Sequence, residues 1–137
     1  MGRDAVFIDA AGLMGLHLTT DALHETSKLI FANLARARSG FVTSDWVLAE
    51  FLNACSAPAR RTRAAGVVRE LKNDATVEVV PASRESFESA LEFHESRPDK
   101  EWGLIDCSSF LICRERGIQR VFTHDQHFRQ AGFRVLL

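Results

Sequence analysis

Short apolar runs alternate along this chain with longer stretches in which apolar residues recur every three or four positions. The runs are rich in β-branched and aromatic side chains and are bounded by turn-forming residues, a pattern typical of buried strands. Strands are therefore predicted at residues 5–9, 41–43, 76–80, 120–123 and 133–136. Because helical stretches separate these runs, the pattern predicts an α/β fold with a parallel sheet and helices on both faces.

Capping residues and helix breakers set the expected ends of the intervening helices. The first is expected to begin at Thr20–Asp21 and to end before Gly40, and Ser83 is expected to cap a later helix that Pro98 stops. The remaining helices are predicted at residues 45–57, 58–73, 103–115 and 125–130. Because no linker or repeat divides the sequence, residues 1–137 are expected to form a single domain.

The composition is that of an ordinary globular protein, with 46% hydrophobic and 26% charged residues and a net charge of −1. Three cysteines, Cys55, Cys107 and Cys113, lie within apolar helical patterns and show no metal-ligand spacing. We therefore expect reduced thiols in the core of a cytoplasmic protein. No membrane association is expected, because the sequence shows neither a long apolar span nor a signal segment.

Four acids lie where a solvated surface acid is not expected. Asp9 and Asp125 each close an apolar strand, Glu50 lies on a largely apolar helical face, and Asp106 begins a helix. In a doubly wound sheet, ligands bind beyond the carboxyl ends of the strands, where the strand order reverses. Each acid taken alone could be a turn former or a helix cap. Together, however, they are expected at this one edge, where they would share a cleft.

Several carboxylates in one cleft require a cation or shared protons. Because no Cys or His is expected to converge with them, the set favours Mg²⁺, or Mn²⁺ as a substitute, over zinc. Such a cation activates water and orients a phosphate, so phosphodiester hydrolysis is the expected reaction. Arg60, Arg61 and Arg63 lie on one predicted helix and could bind an RNA phosphate backbone, although each could instead belong to a solvated face.

Two histidines flank the last of the four acids. His124 and His127 are separated by a predicted strand–helix junction, so their side chains are expected to diverge, and both are interpreted as surface or packing residues. The sequence contains no glycine-rich phosphate loop and no nucleophilic serine in a strand–turn–helix elbow. The four acids therefore remain the candidate catalytic residues.

The acids and their neighbours resemble those of the PIN-domain nucleases. The resemblance rests on Asp9 after its apolar strand, on Glu50 at the end of TSDWVLAE, and on Asp106 within LIDCSSF. The closing stretch THDQHFRQAGF, residues 123–133, is similar to the end of VapC-type toxins of bacterial toxin–antitoxin pairs. The resemblance covers essentially the whole chain, with the acids in the family's order.

The resemblance implies a three-layer α/β/α sandwich with the strand order 3-2-1-4-5. It also implies a Mg²⁺-dependent endoribonuclease that acts on RNA, forms a homodimer and is neutralised by a cognate antitoxin. By the family's pattern, Asp9 and Asp106 would be the principal metal ligands, Asp125 would complete the cation site, and Glu50 would bind metal or orient the attacking water. Thr123 matches a hydroxyl position that could hydrogen-bond a carboxylate or a water on the metal.

The sequence departs from the family's pattern beside two of the acids. Ala10 and Ala11 follow the first acid, and Gly103 and Ile105 precede the third, where many members carry polar side chains. Groups that orient metal ligands typically contribute about 10- to 100-fold to affinity or activity. A weakened nuclease is therefore expected.

Two other functions are alternatives to the nuclease. One is a PIN fold that has lost catalysis and serves as a binding module. The hydroxyls missing beside Asp9 and Asp106 suggest this alternative. The other is a phosphoacceptor signalling domain, which can also place an acidic pocket in a parallel α/β fold. The signalling alternative is the weaker, because such a domain usually needs a lysine near its last strand and Lys28, Lys72 and Lys100 lie elsewhere.

Overall fold

The computed structural model describes residues 4–137, which form a five-stranded parallel sheet in the order β3-β2-β1-β4-β5. The strands are β1 (Val6–Ile8), β2 (Phe41–Ser44), β3 (Val77–Val80), β4 (Arg120–Phe122) and β5 (Arg134–Val135). The predicted α/β/α fold class and strand order are confirmed. The order reverses at β1, so the crevice expected to bind a ligand lies between the carboxyl ends of β1 and β4.

Burial explains why β1 is the central strand. Val6, Phe7 and Ile8 have no exposed surface, whereas β3 at one edge is half-buried throughout. In register, Phe7 lies beside Val42 of β2 and Val121 of β4, so three apolar side chains form one layer across the sheet. A continuous apolar run of this kind is what a strand covered on both faces requires.

Helices connect the strands and cover the sheet. They are α1 (Ala10–His17), α2 (His24–Arg36), α3 (Asp45–Ala54), α4 (Pro58–Asn73), α5 (Arg84–Glu95), α6 (Leu104–Arg116) and α7 (Gln126–Gln130). Gly117 ends α6 in the left-handed conformation with φ of 66°, as predicted. All three cysteines are buried, also as predicted. Among residues 4–137, no helix is both long enough and apolar enough to cross a membrane.

The helix α1 was not predicted from the sequence, and the first helix was expected only from Thr20–Asp21. Glycine disfavours helices, and α1 contains two glycines, which is why the pattern does not indicate it. A Cβ atom on Gly12 would lie 2.1 Å from the Phe122 carbonyl oxygen, and one on Gly15 would lie 2.4 Å from Ser27 Oγ. Close packing against β4 and α2 therefore requires these glycines and outweighs their low helix propensity.

Aromatic packing fixes α6 and α7 against the sheet. The buried Phe110 of α6 lies edge-on to Phe128 of α7, with 5.0 Å between ring centroids, and Phe128 in turn lies 6.5 Å from Phe7 of β1. Phe133, just before β5, stacks on Phe110 at 5.7 Å. Edge-to-face and offset contacts of this kind stabilise a core beyond simple area burial. Helix α6, which contains Asp106, and helix α7, which Asp125 caps, are consequently held at defined positions.

Candidate active site

Asp9 lies at the carboxyl end of β1, where the chain turns into α1. Its side chain is almost fully buried, with 3% of the residue exposed, and its Oδ2 accepts a hydrogen bond of 2.8 Å from Thr123 Oγ1. The backbone N–H of Asp9 points to the Phe122 carbonyl at 3.4 Å. Asp9 is thus attached to the end of β4 through both its side chain and its backbone.

Thr123 connects two of the acids. While its hydroxyl donates to Asp9, the same oxygen accepts a hydrogen bond of 3.1 Å from the backbone N–H of Asp125. On the other side of β1, Thr43 Oγ1 donates to the Ile8 carbonyl at 2.9 Å. The carboxyl ends of β2, β1 and β4 are therefore tied together by threonine hydroxyls that are fully buried.

Asp106 lies in α6 and Asp125 precedes α7, and the two acids meet at His127. Asp106, in the first turn of α6, accepts at Oδ2 from the Gly103 backbone N–H at 3.2 Å and lies 2.9 Å from His127 Nδ1. Asp125 caps α7, and its Oδ1 accepts from the His127 backbone N–H at 2.9 Å. One ligand atom from each of Asp106, Asp125 and His127 lies within 4.8 Å of the others. Such a separation suits ligands of a single ion.

Glu50 approaches the same cleft from α3. It is half-buried and lines a surface hollow of about 420 Å³ together with Asp106 of α6. The hollow is completed by Trp46, Gly103, Leu104 and Ile105. Glu50 therefore faces the acids of the other elements across an opening that solvent can enter.

The electrostatics of the cleft reflect the gathering of like charges. Burial raises the pKa of Asp9 to about 6. The charges of Asp106 and Asp125 act in the same direction, and the hydrogen bond from Thr123 offsets the rise only in part. Burial and the charges of Asp9, Asp106 and Asp125 raise the pKa of Glu50 to about 7. The charges of Asp106 and Asp125 thus act on both Asp9 and Glu50, which indicates that the four acids share one site.

The residues present fit a divalent cation. Oxygen donors from Asp9, Asp106 and Asp125 form the type of ligand set that Mg²⁺ or Mn²⁺ prefers. No lysine or arginine of residues 4–137 is among the groups that shift the pKa values of Asp9 and Glu50. A bound cation would supply the missing positive charge and return both carboxyl groups to their ionised forms.

The interpretation of His127 as a surface or packing residue is wrong, and so is the expectation that no histidine converges with the acids. Although burial opposes it, the hydrogen bond with Asp106 and the nearby charges of Asp125, Asp106 and Glu101 raise the pKa of His127. His124, by contrast, is exposed. The position of His127 two residues after a helix-capping Asp indicates that its backbone N–H turns toward Asp125, but it does not indicate the contact of the ring with Asp106.

The arginines singled out from the sequence lie apart from the acids. Arg60, Arg61 and Arg63 are exposed on the first half of α4. Arg60 Nη2 lies 3.5 Å from Thr20 Oγ1, and Arg61 Nη1 donates to the Ser56 carbonyl at 2.8 Å. Within residues 4–137, no ion pair joins these three arginines to an acid of the cleft.

Comparison with known proteins identifies the fold family. The model of the PIN domain matches residues 6–134. This chain belongs to the PIN-domain family. It is 30% identical over 130 residues to the 23S rRNA-specific endonuclease VapC20 of Mycobacterium tuberculosis, in strains CDC 1551 / Oshkosh and H37Rv alike, with 93% of this chain and 95% of the relative covered.

A solved structure of the same relative agrees with the sequence match. The crystal structure of Mycobacterium tuberculosis VapC20, described as a sarcin–ricin loop cleaving toxin, superimposes with a TM-score of 0.82 at 26% identity. The match covers 94% of this chain and 96% of that one. The resemblance to PIN domains and VapC-type toxins seen in the sequence is confirmed.

Proposed function

We infer that this PIN-domain protein is a metal-dependent endoribonuclease that acts as the toxin of a toxin–antitoxin pair. The observation that carries this proposal is the convergence of Asp9, Glu50, Asp106 and Asp125 at the carboxyl edge of the sheet, where burial and the charges of neighbouring acids raise the pKa values of Asp9 and Glu50. The similarity to an rRNA-specific endonuclease over almost the whole chain supports the same reaction.

Each acid has a proposed role. Asp9, Asp106 and Asp125 would hold Mg²⁺, or Mn²⁺ in its place, because their oxygen atoms suit a hard cation. When bound, the cation would activate water and offset charge on the phosphate. Glu50 would bind the cation as well or orient the attacking water, since it borders the open hollow next to Asp106. Thr123 would keep Asp9 oriented through the hydrogen bond at 2.8 Å.

We propose ribosomal RNA as the substrate, and specifically the sarcin–ricin loop on which the relative acts. Arg60, Arg61 and Arg63 would bind the RNA backbone, because arginine pairs well with phosphate and all three are exposed. An oligonucleotide of that loop should be cut, while one of the same composition in scrambled order should not. Equal cutting of both would contradict this choice of substrate.

The proposed partners are a cognate antitoxin and a second copy of the chain, and the proposed location is the cytoplasm. The antitoxin would be encoded beside this gene, and an arginine from it could bind among the acids and block the cation site. Adding the product of the adjacent short reading frame should stop cleavage. Sedimentation analysis should give twice the mass of one chain; a monomer at micromolar concentration would contradict the homodimer.

The decisive experiment is RNA cleavage with and without Mg²⁺. Asp9→Asn and Asp106→Asn each keep the size of the side chain but remove a charge that the cation requires, so both should abolish cleavage. Asp99→Asn is the matched control, because Asp99 is exposed and paired with Lys100 at 3.2 Å. Cleavage that survives in both variants of the cleft, or persists in a chelator, would refute the proposed site.

The binding-module alternative makes a different prediction. Ala10 follows Asp9, and Gly103 and Ile105 flank the start of α6, so these positions offer no hydroxyl to the acids. A protein that binds Mn²⁺ but cuts no RNA would favour this alternative. The signalling alternative is weakened further by the lysines, since Lys28, Lys72 and Lys100 pair with Glu25, Asp45 and Asp99 outside the cleft.

A further inference from the structure

Asp106 depends on few partners for its orientation. Its neighbours Gly103 and Ile105 offer no side-chain hydrogen-bond donor. Its Oδ2 accepts from the Gly103 backbone N–H at 3.2 Å and faces His127 Nδ1 at the shorter distance of 2.9 Å. A hydrogen bond to a carboxylate is stronger than one between neutral groups, and the shorter contact contributes more. The imidazole of His127 is therefore the main side-chain constraint on Asp106.

His127 contacts two acids through two different nitrogen atoms. Its ring Nδ1 faces Asp106 of α6, and its backbone N–H donates to Asp125 Oδ1 at 2.9 Å. The ring nitrogen lies 3.6 Å from Asp125 Oδ1, which is too long for a hydrogen bond. The ring is thus directed at one carboxylate and the backbone at the other. In this way a single residue sets the separation between acids that belong to different elements.

The position of His127 is itself rigid. The next residue, Phe128, has no exposed surface and packs edge-on against Phe110, so α7 cannot slide along α6 without disrupting the core. Gln130, at the end of α7, accepts a hydrogen bond of 3.0 Å from Trp102 Nε1. The His127 side chain is 30% exposed, so it reaches Asp106 from the rim of the cleft.

We propose that His127 is a positioning residue that holds the Asp106 carboxylate at the separation from Asp125 that a divalent cation needs. The inference rests on the proposed function, because it assumes that these acids bind a cation. In this role the ring donates its Nδ1 hydrogen to Asp106 and leaves the cation to the oxygen atoms. Groups that orient metal ligands in this way typically change metal affinity by about 10- to 100-fold.

The test is calorimetric Mn²⁺ binding without RNA, which separates this inference from nuclease activity. His127→Ala removes the donor and should weaken Mn²⁺ binding by about 10- to 100-fold. His127→Asn places an amide N–H near the position of Nδ1 and should keep affinity within a few-fold of the original. Because both replacements are uncharged, their difference isolates the hydrogen bond from the charge of the ring. The control is His124→Ala, an exposed histidine on the other side of Asp125, which should leave affinity unchanged.

Each contrary outcome has a distinct meaning. If His127→Ala binds Mn²⁺ as the unchanged protein does, or His127→Asn loses as much affinity as His127→Ala, the positioning role is wrong. Nitrogen hyperfine coupling in the pulsed electron paramagnetic resonance spectrum of bound Mn²⁺, absent from His127→Ala, would make His127 a direct ligand and overturn the proposal. If the unchanged protein binds no Mn²⁺, the cation site fails together with the inference drawn from it.

Discussion

The acid cleft (Asp9, Glu50, Asp106 and Asp125) and the arginine face (Arg60, Arg61 and Arg63) are both clusters of like charge, yet they are built differently. The acids are buried or half-buried, and burial together with mutual repulsion raises the pKa values of Asp9 and Glu50. The arginines are exposed; Arg60 lies against Thr20, and Arg61 donates to a backbone carbonyl. One cluster is costly to assemble, and the other costs little.

The difference determines what each cluster indicates about function. A fold that forces acids together without a counter-charge loses stability, so the arrangement calls for a ligand such as a cation. Exposed arginines remain hydrated whether or not anything binds them, so their clustering is weaker evidence for RNA. Support from the surrounding structure differs in the same way, because Thr123 and His127 orient the acids while the arginines extend into solvent.

The largest effect on stability is expected from replacing one glycine beside the acid cleft and one on the helix of the arginine face with alanine. Gly12→Ala would put a Cβ atom 2.1 Å from the Phe122 carbonyl, the same group that accepts from the backbone of Asp9. Because that neighbour is backbone, we expect a loss of about 3 kcal/mol in the free energy of unfolding, measured with urea. Gly66→Ala on α4 meets nothing within 4 Å and should instead gain about 0.5–1 kcal/mol. Equal effects of the two substitutions would show that the acid cleft is no more tightly packed than the arginine face.

These glycines also explain what the sequence could and could not predict. The sheet and the four acids were predictable, because apolar runs, caps and misplaced acids are local patterns. The helix α1 was not, because Gly12 and Gly15 argue against a helix until Phe122 and Ser27 are known to lie against them. His127 was missed for the same physical reason. Because its partner Asp106 lies 21 residues away in the sequence, no short-range pattern indicates the contact of the His127 ring.

The next effect concerns the pH dependence of stability caused by Asp9. Burial raises its pKa from 3.8 to about 6, so between these pH values the folded state holds a proton that the unfolded chain has lost. The contribution of Asp9 to stability therefore falls as pH rises from about 4 to about 6, by about 2 to 3 kcal/mol, and stays low above that range. Urea unfolding of metal-free protein should show that Asp9→Asn removes this loss.

The cation provides the control for this prediction. Saturating Mg²⁺ near neutral pH should restore the stability of the unchanged protein, because a ligand that binds only the folded state shifts the equilibrium toward it. The same addition should have little effect on Asp9→Asn. The contrary outcome is a difference in stability between the two proteins that stays constant with pH. It would show that folding does not raise the pKa of Asp9, so the acid cleft would be no more costly to form than the arginine face.

A smaller effect is expected from Thr123. Thr123→Val keeps the shape of the side chain but removes the donor to Asp9 and the acceptor for the Asp125 backbone N–H. We expect Mn²⁺ affinity to fall by about 10- to 100-fold, the range for groups that orient metal ligands. Thr123→Ser, which keeps the hydroxyl, should recover most of the affinity. If the serine variant is as weak as the valine variant, packing of the methyl group and not hydrogen bonding is what Thr123 contributes.

The smallest effects are expected on the arginine face. Arg60→Gln, Arg61→Gln and Arg63→Gln should each lower RNA affinity by up to about fivefold, because exposed ionic contacts contribute about 0.2–1 kcal/mol. Each should also make binding less sensitive to salt, and cleavage at saturating RNA should be unchanged. Arg134→Gln is the control. Arg134 is exposed on β5 at one edge of the sheet, whereas α4 packs against β3 at the opposite edge. Substitutions on α4 that weaken binding no more than this control would show that the arginine face is a solvated surface, with the RNA bound through the acid cleft and other residues.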